Sequence, residues 1–347
     1  MHFLDSKKLG TLMRKELEAR GASSESAQHV VASVIQSSLR GVDSHGINLF
    51  PHYCHAVEVG RVKGFPEFTW EQTAAATSRM DADHAFGHYS GAAAMDRAIA
   101  MASDSGVGTV SVSNSTHFGA AAYFGLRAAE NDYVGFSFTN ADALVKAHGA
   151  KEAFFGTNQI CFTAPMMSED PFCLDMATSM VSWNKVMNYR MSGTQMPSGW
   201  AFDADGVDVV DPDLAVSLSP AGSYKGFGLG MMVDILCSLL AGGKISKDLR
   251  PMYQPPLDNS KREIRHFFMA VDICRFTDLS MFKQQLQEMV ARIRLLTPND
   301  TEQPVMVAGD PEKSSKEHRL INGIPIGDQR FLEFLDISEK FETVLMS

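Results

Sequence analysis

The middle of the chain alternates between helical and strand-like periodicity, and this alternation restricts the possible folds more than any other feature. Residues 91–103 are rich in alanine and methionine and read as a helix, whereas the β-branched, alternating residues 108–113 read as a strand. The same succession follows at once, with a helix predicted over 120–130 and a strand over 133–139. Helices that alternate with strands in this way predict an α/β domain.

The flanking regions add further elements. Strands are predicted over 159–164, 172–176 and 267–271, and an amphipathic helix over 279–296. The N-terminal region instead predicts two successive helices, each with an apolar face. Residues 298–316 are polar and contain proline and glycine, so we expect an extended surface segment there.

Composition excludes several classes of function. The 347 residues are 45% hydrophobic and carry a formal net charge of -10, so a sizeable core is expected, while nucleic acid and anionic membrane partners are not. The most apolar stretch, 226–243, is interrupted by Asp234 and is predicted to be a buried helix rather than a membrane span. No signal-peptide pattern is visible and the five cysteines form no C-x-x-C pair, which favours a cytoplasmic protein with reduced thiols.

Two loops place a histidine where a ligand could meet it. His45 lies in the turn Ser44-His45-Gly46, where Ser44 could hold the imidazole or a substrate oxygen. His117 lies between a predicted strand and a predicted helix, where loops of α/β sheets point at ligands. Histidine exchanges protons near neutral pH and so suits general acid–base catalysis. Because most histidines are not catalytic, the residues alone leave a structural role open for both.

Other patterns are weaker when taken singly. Tyr224 and Lys225 stand at the predicted start of a glycine-rich helix. The N-terminus of this helix could bind phosphate, or its glycines could simply allow close helix packing. His52, Cys54 and His55 have metal-ligand spacing, but no second group of ligands completes a site. We therefore predict no bound metal.

Six short motifs are more informative together than singly, because of their order along the chain. They are S-H-G at 44–46, S-T-H-F-G at 115–119, G-T-N at 156–158, D-M-A-T at 175–178, Y-K-G-F-G-L at 224–229 and G-D-P-E at 309–312. Their order and approximate spacing resemble the type-2 malate/L-lactate dehydrogenase family, which includes ureidoglycolate and sulfolactate dehydrogenases, 2,3-diketogulonate reductase and piperideine-2-carboxylate reductase. The resemblance covers nearly the whole chain.

The resemblance implies an α/β fold that is not a Rossmann fold. A mixed-sheet central domain over 76–294 would accompany a helical part built from both chain ends, residues 1–75 joined by roughly 295–347. The family also implies a homodimer, a small carboxylate substrate, and NAD(H) or NADP(H) bound without the G-x-G-x-x-G fingerprint. The implied reaction is reduction of a 2-oxo acid to the 2-hydroxy acid, or the reverse oxidation. A reductase of a cyclic Δ1-imino acid, a cofactor-binding protein without turnover and a metal-dependent hydrolase stay open as alternatives.

The family's functional positions can be carried over residue by residue. His45 and His117 match the two histidines to which family members assign the proton role, with Ser44 and Tyr53 beside the substrate. The cofactor-contacting positions match Asp175, Met176, Ala177, Tyr224, Lys225, Gly309, Asp310 and Pro311.

Three positions depart from the family pattern. Many members have an arginine four residues after the S-H-G histidine, where it could pair with the substrate carboxylate, and this chain has Leu49 there. Gln159 replaces the proline that often follows G-T-N. Where the family often has Pro-aromatic-Gly before the next strand, this chain has A-H-G at 147–149, preceded by Lys146. We hypothesise that Lys146 or His148 supplies the positive or donor group that is lost at Leu49.

Overall fold

The computed structural model describes residues 1–253, 255 and 258–346. The helices are α1 (Ser6–Ala19), α2 (Ser24–Leu39), α3 (Phe50–Glu58), α4 (Gly87–Ser105), α5 (Ala122–Ala129), α6 (Trp183–Ser192), α7 (Tyr224–Asp234), α8 (Leu279–Arg294), α9 (Asp310–Asn322) and α10 (Asp328–Ile337). The strands are β1 (His2–Leu4), β2 (Thr69–Ala74), β3 (Thr77–Asp81), β4 (Val107–Ser115), β5 (Tyr133–Thr139), β6 (Val145–Lys146), β7 (Ala153–Phe155), β8 (Gln159–Ala164), β9 (Phe172–Met176), β10 (Ala201–Phe202), β11 (Asp208–Val209), β12 (Ser217–Leu218), β13 (Ile264–Asp272) and β14 (Ile324–Ile326).

The largest sheet is mixed and lies at the centre of the fold. Among the described residues, seven strands form it in the order β2-β3-β4-β13-β5-β8-β9. The pair β3–β4 is parallel, and the remaining neighbours are antiparallel. Helices α4 and α5 cover one face and share a hydrophobic core with the strands. The predicted α/β class with a mixed sheet is confirmed.

A glycine lets α4 approach this sheet closely. A Cβ atom added to Gly108 on β4 would lie 2.0 Å from the carbonyl oxygen of Ala98 on α4. Because no real Cβ contact is that short, only glycine allows this helix–strand distance. The position of α4 matters for the site, because the loop after β4 carries His117.

A second core joins the two ends of the chain. It includes Leu9, Met13 and Leu17 of α1, Val30 and Val34 of α2, and Phe331, Phe334, Phe341 and Val344 near the C-terminus. Strand β1 also pairs antiparallel with β14. The domain limits at 75/76 and 294/295 stay predictions, although this core contains residues from both ends.

A second, smaller sheet has a hydrophobic core of its own. Five short strands pair in the order β11-β10-β12-β6-β7 among the described residues. Its core includes Val145 and Leu218 from the sheet and Val186 from α6. This arrangement brings α6 to the edge of the candidate site, where Asn184 donates a hydrogen bond of 2.9 Å to the carbonyl oxygen of Ser44.

Two sequence predictions are wrong in detail. The segment 298–316 is not extended throughout, since α9 begins at Asp310 with Pro311 in its first turn. Proline is tolerated there because the first-turn N–H groups have no partner within the helix. This helix has no buried residue, so it gave no apolar periodicity to detect.

The apolar stretch 226–243 is helical over most of its length, but it is buried on one face only. It forms α7 and then a π-helical turn, Ile235–Leu239. Met231, Leu239 and Leu240 are 50%, 57% and 56% exposed because no other part of the described chain covers this face. None of the described helices is both long and apolar enough to cross a membrane.

Candidate active site

The fold brings the two candidate histidines together. His45 ends a short 3₁₀ turn, Asp43–His45, that follows α2, and His117 lies in the loop that follows β4. The two rings are stacked, with centroids 5.7 Å apart and planes 17° from parallel. Residues far apart in sequence thus form one histidine pair.

His45 is hydrogen-bonded at both ring nitrogens. Its Nδ1 lies 2.9 Å from Oγ of Ser44, and its Nε2 lies 3.1 Å from the amide nitrogen of Gln159. Because an amide nitrogen only donates, Nε2 of His45 accepts this bond, and Nδ1 carries the proton and donates to Ser44. Burial lowers the pKa of His45 to about 4, so the ring is neutral near pH 7.

His117 is held by the buried phenol of Tyr53. The Tyr53 hydroxyl lies 2.8 Å from Nδ1 of His117, and burial raises the pKa of Tyr53 well above its usual value. The phenol therefore stays protonated and can donate to Nδ1 or accept from it, while Nε2 of His117 has no hydrogen bond to the described residues. Burial first, and then the neighbouring His45, His88 and Arg262, hold the pKa of His117 well below its usual value.

A first cavity of about 390 Å³ opens beside this pair. His45 and His117 line it together with Arg262 and Asp142, which form a buried ion pair. The remaining wall includes the apolar or aromatic residues Leu49, Leu144, Trp183, Met252, Tyr253 and Ile264 and neutral polar residues such as Thr139, Asn140 and Asn184. A cavity of this size that combines apolar surface with polar groups suits a small organic ligand.

A second cavity, of about 560 Å³, meets the first at His45. Gln159, Ala177 and Ser182 also line both cavities. The walls of the second cavity include Asp175, Met176, Ala177, Gly309 and Pro311, which are five of the eight residues predicted to contact a cofactor.

Two charged groups shape the second cavity. Asp175 accepts a hydrogen bond of 2.8 Å from the backbone N–H of Ala122, and burial raises the pKa of Asp175 to about 6. Arg40 is 5% exposed, and its Nε has no hydrogen-bond partner among residues 1–253, 255 and 258–346. Because Arg40 lines the cavity, its guanidinium charge favours a ligand with acceptor oxygens.

Other predicted residues lie outside both cavities. Lys146 is on β6, with its ammonium group 4.2 Å from the centre of the Phe202 ring. His148 and Tyr224 are exposed, with ring centroids 6.1 Å apart, and Lys225 is exposed beside them. Asp310 lies below the Gly309 turn, where it is bonded to Arg294 and to the backbone N–H of Val307.

Four residues of the site were not predicted from the sequence. Arg262 and Asp142 line the first cavity, Arg40 lines the second, and Gln159 was noted only as a departure from the family. Arg262 stands just before β13 in a run of mixed charges, so nothing in its local pattern distinguished it from a surface residue. Among the described residues, no group of three histidine, cysteine, aspartate or glutamate side chains could hold a metal ion.

Comparison with known proteins now identifies the family. The model of the malate/L-lactate dehydrogenase family matches residues 4–334. The chain belongs to this family. It is therefore an oxidoreductase that acts on a CH–OH group.

Individual relatives are similar along their whole length. The malate dehydrogenase of Pyrococcus abyssi is 34% identical over 92% of this chain and 90% of its own. The ureidoglycolate dehydrogenase (NAD(+)) of Escherichia coli K12 is 29% identical over 92% of this chain and 91% of its own. The crystal structure of malate dehydrogenase from Entamoeba histolytica superimposes with a TM-score of 0.92 at 27% identity, covering 98% of both chains. The family's fold is thus retained across the described residues.

Proposed function

We propose that this protein reduces a small 2-oxo acid to the 2-hydroxy acid, or catalyses the reverse oxidation, with NAD(H) or NADP(H). The observation that carries the proposal is the neutral histidine pair at the junction of two cavities. One cavity is lined by the segments that the family resemblance assigns to the cofactor, and the other has the size and polarity for a small carboxylate.

The residues of the second cavity fit a dinucleotide. Arg40 offers a positive charge for phosphate oxygens, and Asp175 and Glu312 offer acceptors for hydroxyl groups. The turn at Gly309, with φ of +96°, keeps the backbone close to β9, since a Cβ there would lie 3.1 Å from the carbonyl oxygen of Cys173. When bound, the nicotinamide ring would supply or accept the hydride.

His117 is the proton donor in this proposal. Tyr53 occupies Nδ1, so Nε2 is the nitrogen left for a ligand in the first cavity. During reduction, His117 that has taken up a proton from solvent would give its Nε2 proton to the substrate oxygen as negative charge develops there, and the remaining Nδ1 proton would be donated to the Tyr53 hydroxyl oxygen. In the oxidative direction this neutral tautomer would accept the hydroxyl proton at Nε2.

His45 has a positioning role in this proposal. Its Nε2 accepts from Gln159 and its Nδ1 donates to Ser44, so neither nitrogen is available to the substrate in this arrangement. Its ring forms the wall where the two cavities meet and stacks on His117. We infer that His45 fixes the plane of His117 at the point where the two cavities meet.

We also propose that the active protein is a homodimer, as the resemblance implies. The exposed face formed by Met231, Leu239 and Leu240 supports this, because an apolar patch of this kind on a single chain is typical of a contact surface.

The test is a binding and turnover experiment with purified protein. NADH and NADPH are titrated in turn, with nicotinamide fluorescence as the readout, and a panel of 2-oxo acids and cyclic imino acids is then added to the cofactor that binds. Oxidation of the cofactor by 2-oxo acids is the expected result. Turnover with imino acids alone would indicate an imine reductase instead. Failure to bind either cofactor would overturn the proposed function.

A further inference from the structure

The first cavity contains one permanent positive charge among the described residues that line it, the guanidinium of Arg262. The other nitrogen bases there, His45 and His117, are neutral near pH 7 because their pKa values are lowered. A substrate carboxylate that enters this cavity therefore has Arg262 as its strongest partner.

Arg262 is buried but only partly paired. Its side chain is 4% exposed, its Nε donates to the carbonyl oxygen of Arg250 at 3.1 Å, and its Nη2 pairs with Asp142. A guanidinium has five N–H donors, and the described residues accept two of them. A buried arginine that lines a cavity with donors to spare is well placed to receive a second carboxylate.

The rest of the first cavity offers a second anionic group no permanent positive charge among the described residues that line it. The lining combines apolar residues, among them Leu49, Leu144 and Ile264, with neutral polar ones such as Asn140 and Asn184. Asp142 already neutralises part of the arginine's charge. A dicarboxylate would therefore leave one carboxylate desolvated without a cation.

We propose that Arg262 binds the carboxylate of the substrate, and that the preferred substrate is a monocarboxylic 2-oxo acid with an apolar side chain. This inference rests on the proposed function of the same site. In this proposal Arg262, and not Lys146 or His148, supplies the positive charge that is lost at Leu49, because the other two side chains lie outside the cavity.

The arrangement also links carboxylate binding to the proton donor. The charge of Arg262 is one of the causes that lower the pKa of His117. A bound carboxylate would offset that charge, so the pKa of His117 would rise when substrate is present and the ring would take up a proton more readily. An uncharged substrate analogue would not have this effect.

The first test compares a 2-oxo acid with its matching 2-oxo carboxamide, in the wild type and in Arg262→Gln. We expect the wild type to favour the acid on the order of 100-fold in kcat/KM, mainly through KM, as for a lost charged hydrogen bond. Arg262→Gln should lose this preference, because its kcat/KM for the acid falls to about that for the amide. The matched control is Lys146→Gln, which removes a charge outside the cavity and should retain the preference.

The outcomes separate the two proposals. If the wild type oxidises neither cofactor with any 2-oxo acid, the proposed function fails. If it reduces the acid and the amide equally well, or if Arg262→Gln keeps the preference, the assignment of Arg262 is wrong while the proposed function stands. Because the wild-type ratio needs no variant, the test remains decisive even where Arg262→Gln does not fold.

The second test measures side-chain preference in the wild type. A 2-oxo acid with a four-carbon apolar chain should be at least about tenfold better in kcat/KM than a 2-oxo dicarboxylate of equal length, given the cost of an unpaired buried charge. Equal or better turnover of the dicarboxylate would overturn the substrate class.

Discussion

At the residue scale, the two histidines differ in which ring nitrogens remain without a hydrogen bond to the described residues. Both rings are neutral and stacked, but His45 is bonded at both nitrogens, whereas His117 is bonded to Tyr53 only at Nδ1. A shared residue type therefore does not imply a shared role. The free Nε2 of His117 is the reason for assigning the proton transfer to it.

The variant His117→Gln tests this assignment. We expect kcat to fall by roughly a hundred- to ten-thousand-fold, because that is the range that general acid–base groups contribute. Cofactor affinity should stay within about twofold, since His117 does not line the second cavity. Steady-state kinetics and a fluorescence titration measure the two quantities.

The control for this variant is His55→Gln, on the exposed face of α3. It should leave both kcat and cofactor affinity unchanged. A His117→Gln protein with near wild-type kcat would remove His117 from the mechanism.

The sequence predicted the histidines but not the arginine for a physical reason. His45 and His117 belong to short motifs in which a turn or a strand end fixes the side chain locally, so the pattern remains visible along the chain. Arg262 reaches the cavity only because β13 pairs between β4 and β5 and so brings residue 262 beside Asp142. Pairing between distant strands leaves no signal in the local sequence.

At the element scale, the distance between α4 and β4 depends on Gly108. The variant Gly108→Ala would place a methyl group 2.0 Å from the Ala98 carbonyl oxygen, so the helix or the strand must shift. We expect a loss of about 1–3 kcal/mol or more in the free energy of unfolding. Denaturant unfolding followed by circular dichroism measures it.

A matched control is Gly327→Ala at the N-cap of α10, where no atom lies within 4 Å of the added Cβ. Its unfolding free energy should change by less than about 0.5 kcal/mol. Equal effects at both glycines would show that close packing of α4 does not explain the requirement at Gly108.

The strands and helices of the central domain were largely predictable. The predicted strands over 133–139, 159–164 and 172–176 coincide with β5, β8 and β9. Their β-branched and aromatic residues are confined between turn residues, which fixes their limits. Helix α9 was missed because a polar surface helix carries no apolar periodicity.

At the scale of the whole molecule, buried histidines should make stability depend on pH. His88 and His266 are fully buried, and burial lowers the pKa of each to about 3. Between pH 3 and about 6.5 the unfolded chain binds protons that the native protein does not, so the unfolding free energy falls as pH decreases. Asp175, with its pKa raised to about 6, opposes this below pH 6 because the native state then binds its proton first.

The variant His88→Phe isolates one of these groups. Both ring nitrogens of His88 have no partner among the described residues, so the replacement removes a titrating group without breaking a hydrogen bond. Between about pH 6 and 5, the slope of unfolding free energy against pH should decrease by up to about 1.4 kcal/mol per unit. His318→Gln, on an exposed histidine, should leave the slope unchanged, and an unchanged slope in His88→Phe would contradict the effect of burial.

The exposed apolar face of α7 and its π-helical turn should lie between two copies of the chain. Leu239→Glu places a charge in that face, so we expect it to shift the protein from dimer to monomer in sedimentation velocity. Leu295→Glu, at the exposed end of α8, adds the same charge elsewhere and should leave the dimer intact. A Leu239→Glu protein that sediments like the wild type would place the dimer contact on another surface.

The proposed reaction moves hydride between a nicotinamide cofactor and a 2-oxo acid in this pair of cavities. The most direct measurement uses cofactor deuterated at the transferring position of the nicotinamide, with mass spectrometry of the product after incubation with a 2-oxo acid. We expect the wild type to yield a 2-hydroxy acid that carries one deuterium on its C2 carbon, and His117→Gln to yield little or none over the same time. A wild-type reaction that yields no labelled hydroxy acid from either NADH or NADPH would contradict it.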